Sequence, residues 1–181
     1  MIVGDSALDR KLRVFLAKDA KRYAEGLFRE SFNSGFPEPR ENSLPVPTPP
    51  RNWRQYVATY RWPDGTEETV GFCNWILVGD VYLGGGMCVQ KTFYRRMPRE
   101  EFRECQERGG VAQLLLEAAF RELDDCVGWF GYCGDKKAMA VDLRAGFQPT
   151  SHPLVLVKWR VELRLAQQQE RVDAVAAVGP F

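Results

Sequence analysis

The chain has 181 residues, 45% of them apolar and 12% aromatic, which is enough to bury one core without disulfides or a structural metal. Its 25 basic and 24 acidic side chains leave a formal charge of +1, so no long-range field draws it to nucleic acid or to an anionic membrane, and no apolar run approaches the ~20 residues of a bilayer span. The five cysteines have no Cys-x-x-Cys spacing, His152 is the single histidine, and the first residues do not read as a secretory signal; reduced thiols in a cytoplasmic protein without a metal are expected.

Leu12 to Ala17 alternates as a first strand. Asp19 suits a helix N-cap, and Ala20, Tyr23, Ala24, Leu27 and Phe28 recur behind it at helical spacing, with Gly35 as the stop. Phe36 to Pro50 is polar and rich in proline, including Pro37, Pro45, Pro47, Pro49 and Pro50, and reads as a binding loop or lid. A strand meander follows. Trp53 to Arg61 leads into the turn Trp62-Pro63-Asp64-Gly65, then Glu68 to Val78. Val70, Phe72, Ile76 and Val78 lie on one face of that strand and Cys73, Trp75 and Leu77 on the other, so it is expected in the centre of a sheet covered on both sides. Gly79-Asp80 turns tightly into Val81 to Val89, where Gly84-Gly85-Gly86 suggests a bulge, a close approach of a ligand or another chain, or a loose strand end.

Pro98, followed by Arg99, Glu100 and Glu101, starts a helix with Phe102 and Cys105 on its inner face. Tyr94-Arg95-Arg96 before it is a solvated helix entrance rather than a basic patch. Arg108-Gly109-Gly110 breaks the helix, and a second begins at once with Val111, Leu114, Leu115, Ala118 and Leu123 as its stripe. Val127 to Cys133 is a strand, Asp135 to Ala145 a helix stopped by Gly146, and Leu154 to Trp159 the last strand. A single domain is expected over residues 1–160. Residues 161–181 form a helical tail, with Leu165, Val172 and Val175 on one side, that packs on the domain, pairs with a second copy or frays.

The informative feature is an arrangement. A hydrophobic strand ends at Met87-Cys88-Val89, and Glu107-Arg108-Gly109-Gly110-Val111-Ala112 then opens a helix. Glycines there let backbone N–H groups face a ligand, and the positive end of the helix suits a pyrophosphate. Together with Asp135-Lys136-Lys137-Ala138-Met139-Ala140-Val141-Asp142-Leu143-Arg144-Ala145-Gly146-Phe147, this resembles the GNAT N-acetyltransferase superfamily. That family's phosphate loop runs Gln/Arg-x-x-Gly-x-Gly/Ala and is met at Gly110 and Ala112. Its closing pattern Asn-x-x-Ala-x-x-Leu-Tyr-x-x-x-Gly-Phe is met at Ala138, Gly146 and Phe147. The element order agrees from Leu12 to Trp159.

The resemblance implies an α/β fold with a mixed central sheet of about six to seven strands and helices on both faces. It implies an acyl-CoA, acetyl-CoA first, as co-substrate. Backbone groups of Cys88 and Val89 would bond the pantetheine arm, an amide near Val89 would polarise the thioester carbonyl, and the amides of Arg108, Gly109, Gly110, Val111 and Ala112 would hold the pyrophosphate. Asp135, in the place of the family's asparagine, is counted with the cofactor-binding residues. An amine acceptor needs a general base, directly or through water.

Two departures bear on activity. Glu107 brings a carboxylate to the phosphate loop, and Asp142 stands where the family places the tyrosine that protonates the leaving thiolate. A carboxylate serves as that acid only where burial lifts its pKa well above ~3.9, and Asp142 is expected to face solvent instead. Tyr82 and Tyr132 join Asp142 as catalytic candidates; Asp80 reads as a hairpin residue, and Cys88 and Cys133 read as small buried hydrophobes. The acceptor pocket is expected from the Phe32 to Arg51 loop and the Thr92 to Cys105 insert, with Phe93, Tyr94, Arg40, Glu41 and Arg51 among its residues. A small amine, an amino acid or a peptide end fits equally. The alternatives to an N-acyltransferase are a catalytically degenerate CoA-binding or interaction domain and a GNAT-fold enzyme of other chemistry, such as nucleobase modification. A homodimer is the commonest assembly for such a chain.

Overall fold

The computed structural model describes residues 6–36 and 53–181; the loop expected over Phe36 to Pro50 and the acceptor-pocket residues Arg40, Glu41 and Arg51 fall almost entirely outside them. Helix α1 (Ala7–Lys11), which the sequence pattern did not reveal, is capped by Ser6, whose Oγ accepts the Asp9 N–H at 3.1 Å. Strand β1 (Leu12–Leu16) follows. Helix α2 (Ala20–Phe32) starts at Asp19, as its side chain predicts, but ends at Asn33 in the left-handed region (φ 50°) rather than at Gly35. Asparagine tolerates that conformation, so the glycine is not needed to stop the helix.

Strands β2 (Trp53–Arg61), β3 (Glu67–Val78) and β4 (Val81–Val89) form the meander. Helices α3 (Phe93–Arg96), α4 (Arg99–Glu107) and α5 (Gly110–Glu122) come next. The chain then runs through β5 (Gly128–Tyr132), α6 (Lys136–Arg144), β6 (Gln148–Pro149), β7 (Val155–Trp159) and α7 (Leu165–Val178). The strands make one seven-stranded sheet in the order β1-β2-β3-β4-β5-β7-β6. It is mixed: β4 and β5 are parallel, whereas β1–β2, β5–β7 and β6–β7 are antiparallel.

The chain divides into two compact units. One comprises the described part of Met1–Pro37 with Gln55–Cys73 and Met87–Glu122. Here α2 lays Ala24, Leu27 and Phe28 on Val57 and Phe72. Alternation turns Ala58 and Gly71 to the other face, where α5 packs so closely that a Cβ on Gly71 would stand 2.7 Å from Val111 Cγ1 and 3.0 Å from Leu115 Cδ1. Helices therefore cover both faces. Helix α4 buries Cys105 and, against expectation, Glu101 in place of Phe102. The Glu101 carboxylate accepts Lys11 Nζ at 2.6 Å and the Tyr60 hydroxyl, a pairing that lets a charge sit in the core.

The second unit holds Asn74–Gly86 and Leu123–Phe181, with the described end of Glu38–Arg54. The tail helix α7 packs Val172 and Val175 on Val81, Leu83, Phe130, Val155 and Val157. Leu165, expected on the same stripe, is 83% exposed. Among the described residues no helix is long and apolar enough to cross a membrane.

Candidate functional site

The parallel register of β4 and β5 runs from Val81↔Gly128 to Gly84↔Gly131 and stops there, although β4 continues to Val89. Gly86 has φ 120°, a conformation that side chains resist, so the chain bulges where the Gly84-Gly85-Gly86 run suggested. Beyond the bulge β4 stays bonded to β3, with the Gln90 N–H donating to Val70 O at 2.9 Å. Its other edge past Gly84 has left the ladder with β5. Cys88 and Val89 lie on that stretch. The Cys88 thiol is buried, and burial pushes its pKa up to about 11, against a smaller opposing hydrogen bond with Ser31. A thiol of that kind is a poor nucleophile.

At the start of α5, Gly109 and Gly110 both have φ 85°. The amides expected on a pyrophosphate are only partly available. Arg108 N–H donates to Glu104 O at 3.1 Å, Gly109 N–H to Gln106 O at 2.9 Å, and Val111 N–H to the Tyr94 hydroxyl at 3.0 Å. Gly110 and Ala112 belong, with Val111, to the first four amides of α5, which have no carbonyl of their own helix to bond. Glu107 is exposed, and the Arg108 guanidinium is turned to Asp9 at 2.6 Å.

Tyr94 owes its place to α3. Phe93 is fully buried against the rings of Tyr60 and Trp62, and Arg96 forks onto Glu68 at 3.0 and 2.7 Å while lying 4.2 Å above the Trp62 ring. Burial raises the Tyr94 pKa, so its hydroxyl keeps its proton. The sequence placed Tyr94 at a helix entrance and in the acceptor pocket; nothing local announces a contact with a residue 17 positions later.

In the second unit the catalytic candidates separate. Tyr82 is fully buried, and its hydroxyl donates to Asp125 at 2.9 Å; burial first, then that carboxylate, hold its pKa above the usual tyrosine value. It lies at the start of β4, six residues before Cys88. Tyr132 ends β5, and its ring packs edge-on against Phe181 with centroids 5.9 Å apart. Asp135 is the N-cap of α6: its carboxylate accepts the N–H groups of Lys137 and Ala138, both at 2.9 Å. Asp80, at the hairpin, accepts Arg171 at 2.6 Å.

Asp142 does not face solvent as expected. It is half-buried on α6, and burial lifts its carboxyl to about 6, partly countered by a hydrogen bond from the Cys133 thiol. Cys133 is itself buried just past the end of β5, where Asp135 O, 3.4 Å from its Sγ, competes for the one thiol proton. The second unit thus carries a carboxyl that still exchanges its proton near neutrality.

No protein-family model matches the chain. No curated protein matches it. Solved structures do. The E. coli protein YhhK, named as an N-acetyltransferase and solved in solution bound to coenzyme A, shares 19% identity at a TM-score of 0.53, over 82% of this chain and 98% of its own. The E. coli ribosomal-protein-S18-alanine N-acetyltransferase aligns over 85% of this chain and 97% of its own, at 10% identity and a TM-score of 0.49. AAC(6')-Iy, in complex with a bisubstrate analogue built on CoA, aligns over 84% and 98%, at 17% identity and 0.48. The likeness to YhhK shows the fold: the chain is a GNAT-fold protein.

Proposed function

Starting from that fold, we propose that the chain is an acyl-CoA-dependent N-acyltransferase that takes acetyl-CoA as its acyl donor and a small amine or peptide amine as acceptor. The observation that carries this reading is the parting of β4 from β5 at Gly84 and Gly131, with the bulge at Gly86 directly after it. A strand edge released from its neighbour has backbone groups to offer an extended, amide-bearing arm. Acetyl-CoA supplies an activated acyl group. Cys88 and Val89 bond the arm through their main chain, and the Gly110, Val111 and Ala112 amides hold the diphosphate, once the Tyr94 hydroxyl has left Val111. Asp142, kept near a pKa of 6 by burial, holds the proton that the departing thiolate needs. Tyr132, at the end of β5, is the nearer of the two candidate tyrosines in sequence to that carboxyl and stays a candidate; Tyr82, buried on Asp125, has a structural role.

A second reading, an interaction domain that has lost its acyl-CoA site, draws on the contact between Tyr94 and the Val111 amide. Calorimetric titration with acetyl-CoA separates the two. Micromolar binding that Gly110→Glu abolishes is expected, because residue 110 has φ 85° and a Cβ there would stand 2.9 Å from the Tyr94 hydroxyl. A folded wild-type chain that binds neither acetyl-CoA, CoA nor longer acyl-CoAs refutes the enzyme reading. We further propose that the protein works in the cytoplasm, and that size-exclusion chromatography will report a homodimer.

A further inference from the structure

Asn74 is the one polar side chain in the buried run of β3 from Val70 to Ile76, and it is 1% exposed. Its Oδ1 is buried and has no hydrogen-bond partner among the described residues. A buried acceptor left unmet loses its hydration and gains nothing in return, whereas an apolar side chain of similar size would avoid that loss. The position is therefore better explained by a donor that arrives with a ligand than by packing.

The neighbours of Asn74 say where that donor comes from. A Cβ on Gly85 would stand 2.8 Å from Asn74 Nδ2, so the carboxamide lies over the backbone of Gly85 and depends on the missing side chain. Gly85 follows Gly84, the last β4 residue in register with β5, and precedes the bulge at Gly86. The three glycines thus have three separate causes. Gly84 makes room for the Trp75 ring, 3.3 Å from where its Cβ would be; Gly85 makes room for Asn74; Gly86 takes a positive φ of 120° within the strand. The carboxamide lies where β4 lets go of β5.

We propose that Asn74 is a binding residue for the acyl-CoA arm, its Oδ1 accepting a hydrogen bond from an amide N–H of that arm as it passes Gly84. This rests on the acyl-CoA reading above. The unmet atom is an acceptor and needs a donor. The diphosphate and the thioester offer acceptors only, and the adenine amino group lies beyond the diphosphate. The arm's amides carry the N–H groups closest to the thioester. Glycine at position 85 leaves the carboxamide free to turn about χ2 toward the parted edge as the arm enters.

The test uses the full chain and two variants, Asn74→Leu and Asn74→Ala, titrated with acetyl-CoA and with adenosine 3′,5′-bisphosphate, a nucleotide fragment that lacks the arm. Acetyl-CoA is expected to bind both variants about 2–10-fold more weakly than wild type, the loss of one neutral hydrogen bond, with the fragment unchanged. Equal acetyl-CoA affinity in wild type and variants overturns the inference, and so does an equal loss for the fragment, which would report a distorted fold. A wild-type chain that binds no acetyl-CoA defeats the acyl-CoA reading itself. Wild-type binding without an effect in the variants defeats the role of Asn74 alone.

Discussion

Replacing Asp142 by asparagine tests the proposed acid without requiring the acceptor. Burial lifts this carboxyl from 3.8 to about 6. At about 1.4 kcal/mol for each tenfold change, that displacement corresponds to about 3 kcal/mol; the side chain is only half-buried, and solvent screening brings the figure to about 1–2 kcal/mol. The sign follows from linkage. An acid whose pKa is raised by folding holds its proton more tightly in the folded state, so ionising it costs stability. The cost is absent below the unfolded pKa near 3.8, grows as pH rises toward 6, and is complete above it. An asparagine carboxamide at this position keeps an oxygen for the Cys133 thiol and carries no charge. The Asp142→Asn variant should therefore be more stable than wild type by about 1–2 kcal/mol at pH 8, with the gap closing toward pH 4. Urea unfolding at pH 5 and pH 8 measures it. A variant no more stable at pH 8, or a gap independent of pH, would refute the argument that Asp142 is held protonated by burial. With any amine that supports turnover, wild-type kcat should lose activity above about pH 6 through this group, and the variant should lack that limb.

Tyr94→Phe frees the Val111 amide at the expense of one neutral hydrogen bond, and CoA should bind about 2–10-fold more tightly by calorimetry; weaker binding would mean that the hydroxyl itself assists the ligand. Leu154 is held at φ 69°, where a side chain costs about 1–2 kcal/mol, so Leu154→Gly should raise Tm by roughly 2–4 °C in differential scanning calorimetry, and a fall would contradict the strain. Lys11→Met leaves the buried Glu101 with the Tyr60 hydroxyl but no cation and should destabilise by about 2 kcal/mol in urea; Arg29→Met, which breaks an exposed helix pair with Glu25, should change stability by less than about 0.5 kcal/mol. Similar losses in both variants would show that burial is not what makes the Lys11 pair matter.

The legible part of the fold is the part set by neighbours in sequence. Alternation in β3, the Trp62-Pro63-Asp64-Gly65 turn, the Asp19 cap and the Gly109-Gly110 break all depend on residues a few positions apart, and each forms as its local chemistry dictates. Helix α1 and strand β6 escaped because five residues and two residues are too short to show a period. The site was harder to read. Tyr94 meets Val111 across 17 residues, and the burial of Asp142 depends on tertiary packing, which no spacing encodes. Asn74 did leave a signal. It is the single amide inside a strand otherwise apolar on both faces, set between Phe72-Cys73 and Trp75-Ile76, where a polar side chain stands out.

The departures around the phosphate loop have a common physical origin in the segment between Val89 and Gly109. Its helices are built into the first unit rather than laid on its surface. Phe93 fills the space between Tyr60 and Trp62, Arg96 is forked onto Glu68, and Glu101 anchors α4 to Lys11 and Tyr60. A segment fixed in this way presents Tyr94 to the start of α5 with little freedom of the backbone. Its side chain is another matter. The anchors are Phe93 and Arg96, so rotation of Tyr94 about χ1 leaves both in place and gives up only its ring contact with Phe93. What holds the hydroxyl on Val111 is one neutral hydrogen bond and the contacts of its ring with Phe93 and Phe102, at centroid distances of 5.3 and 6.3 Å. Each is worth about 0.5–1.5 kcal/mol, whereas a diphosphate brings charge-assisted bonds to several amides at the positive end of a helix. On the proposed acyl-CoA reading the balance favours displacement, so the occupied Val111 amide would set a modest threshold for binding and does not by itself favour the interaction-domain reading.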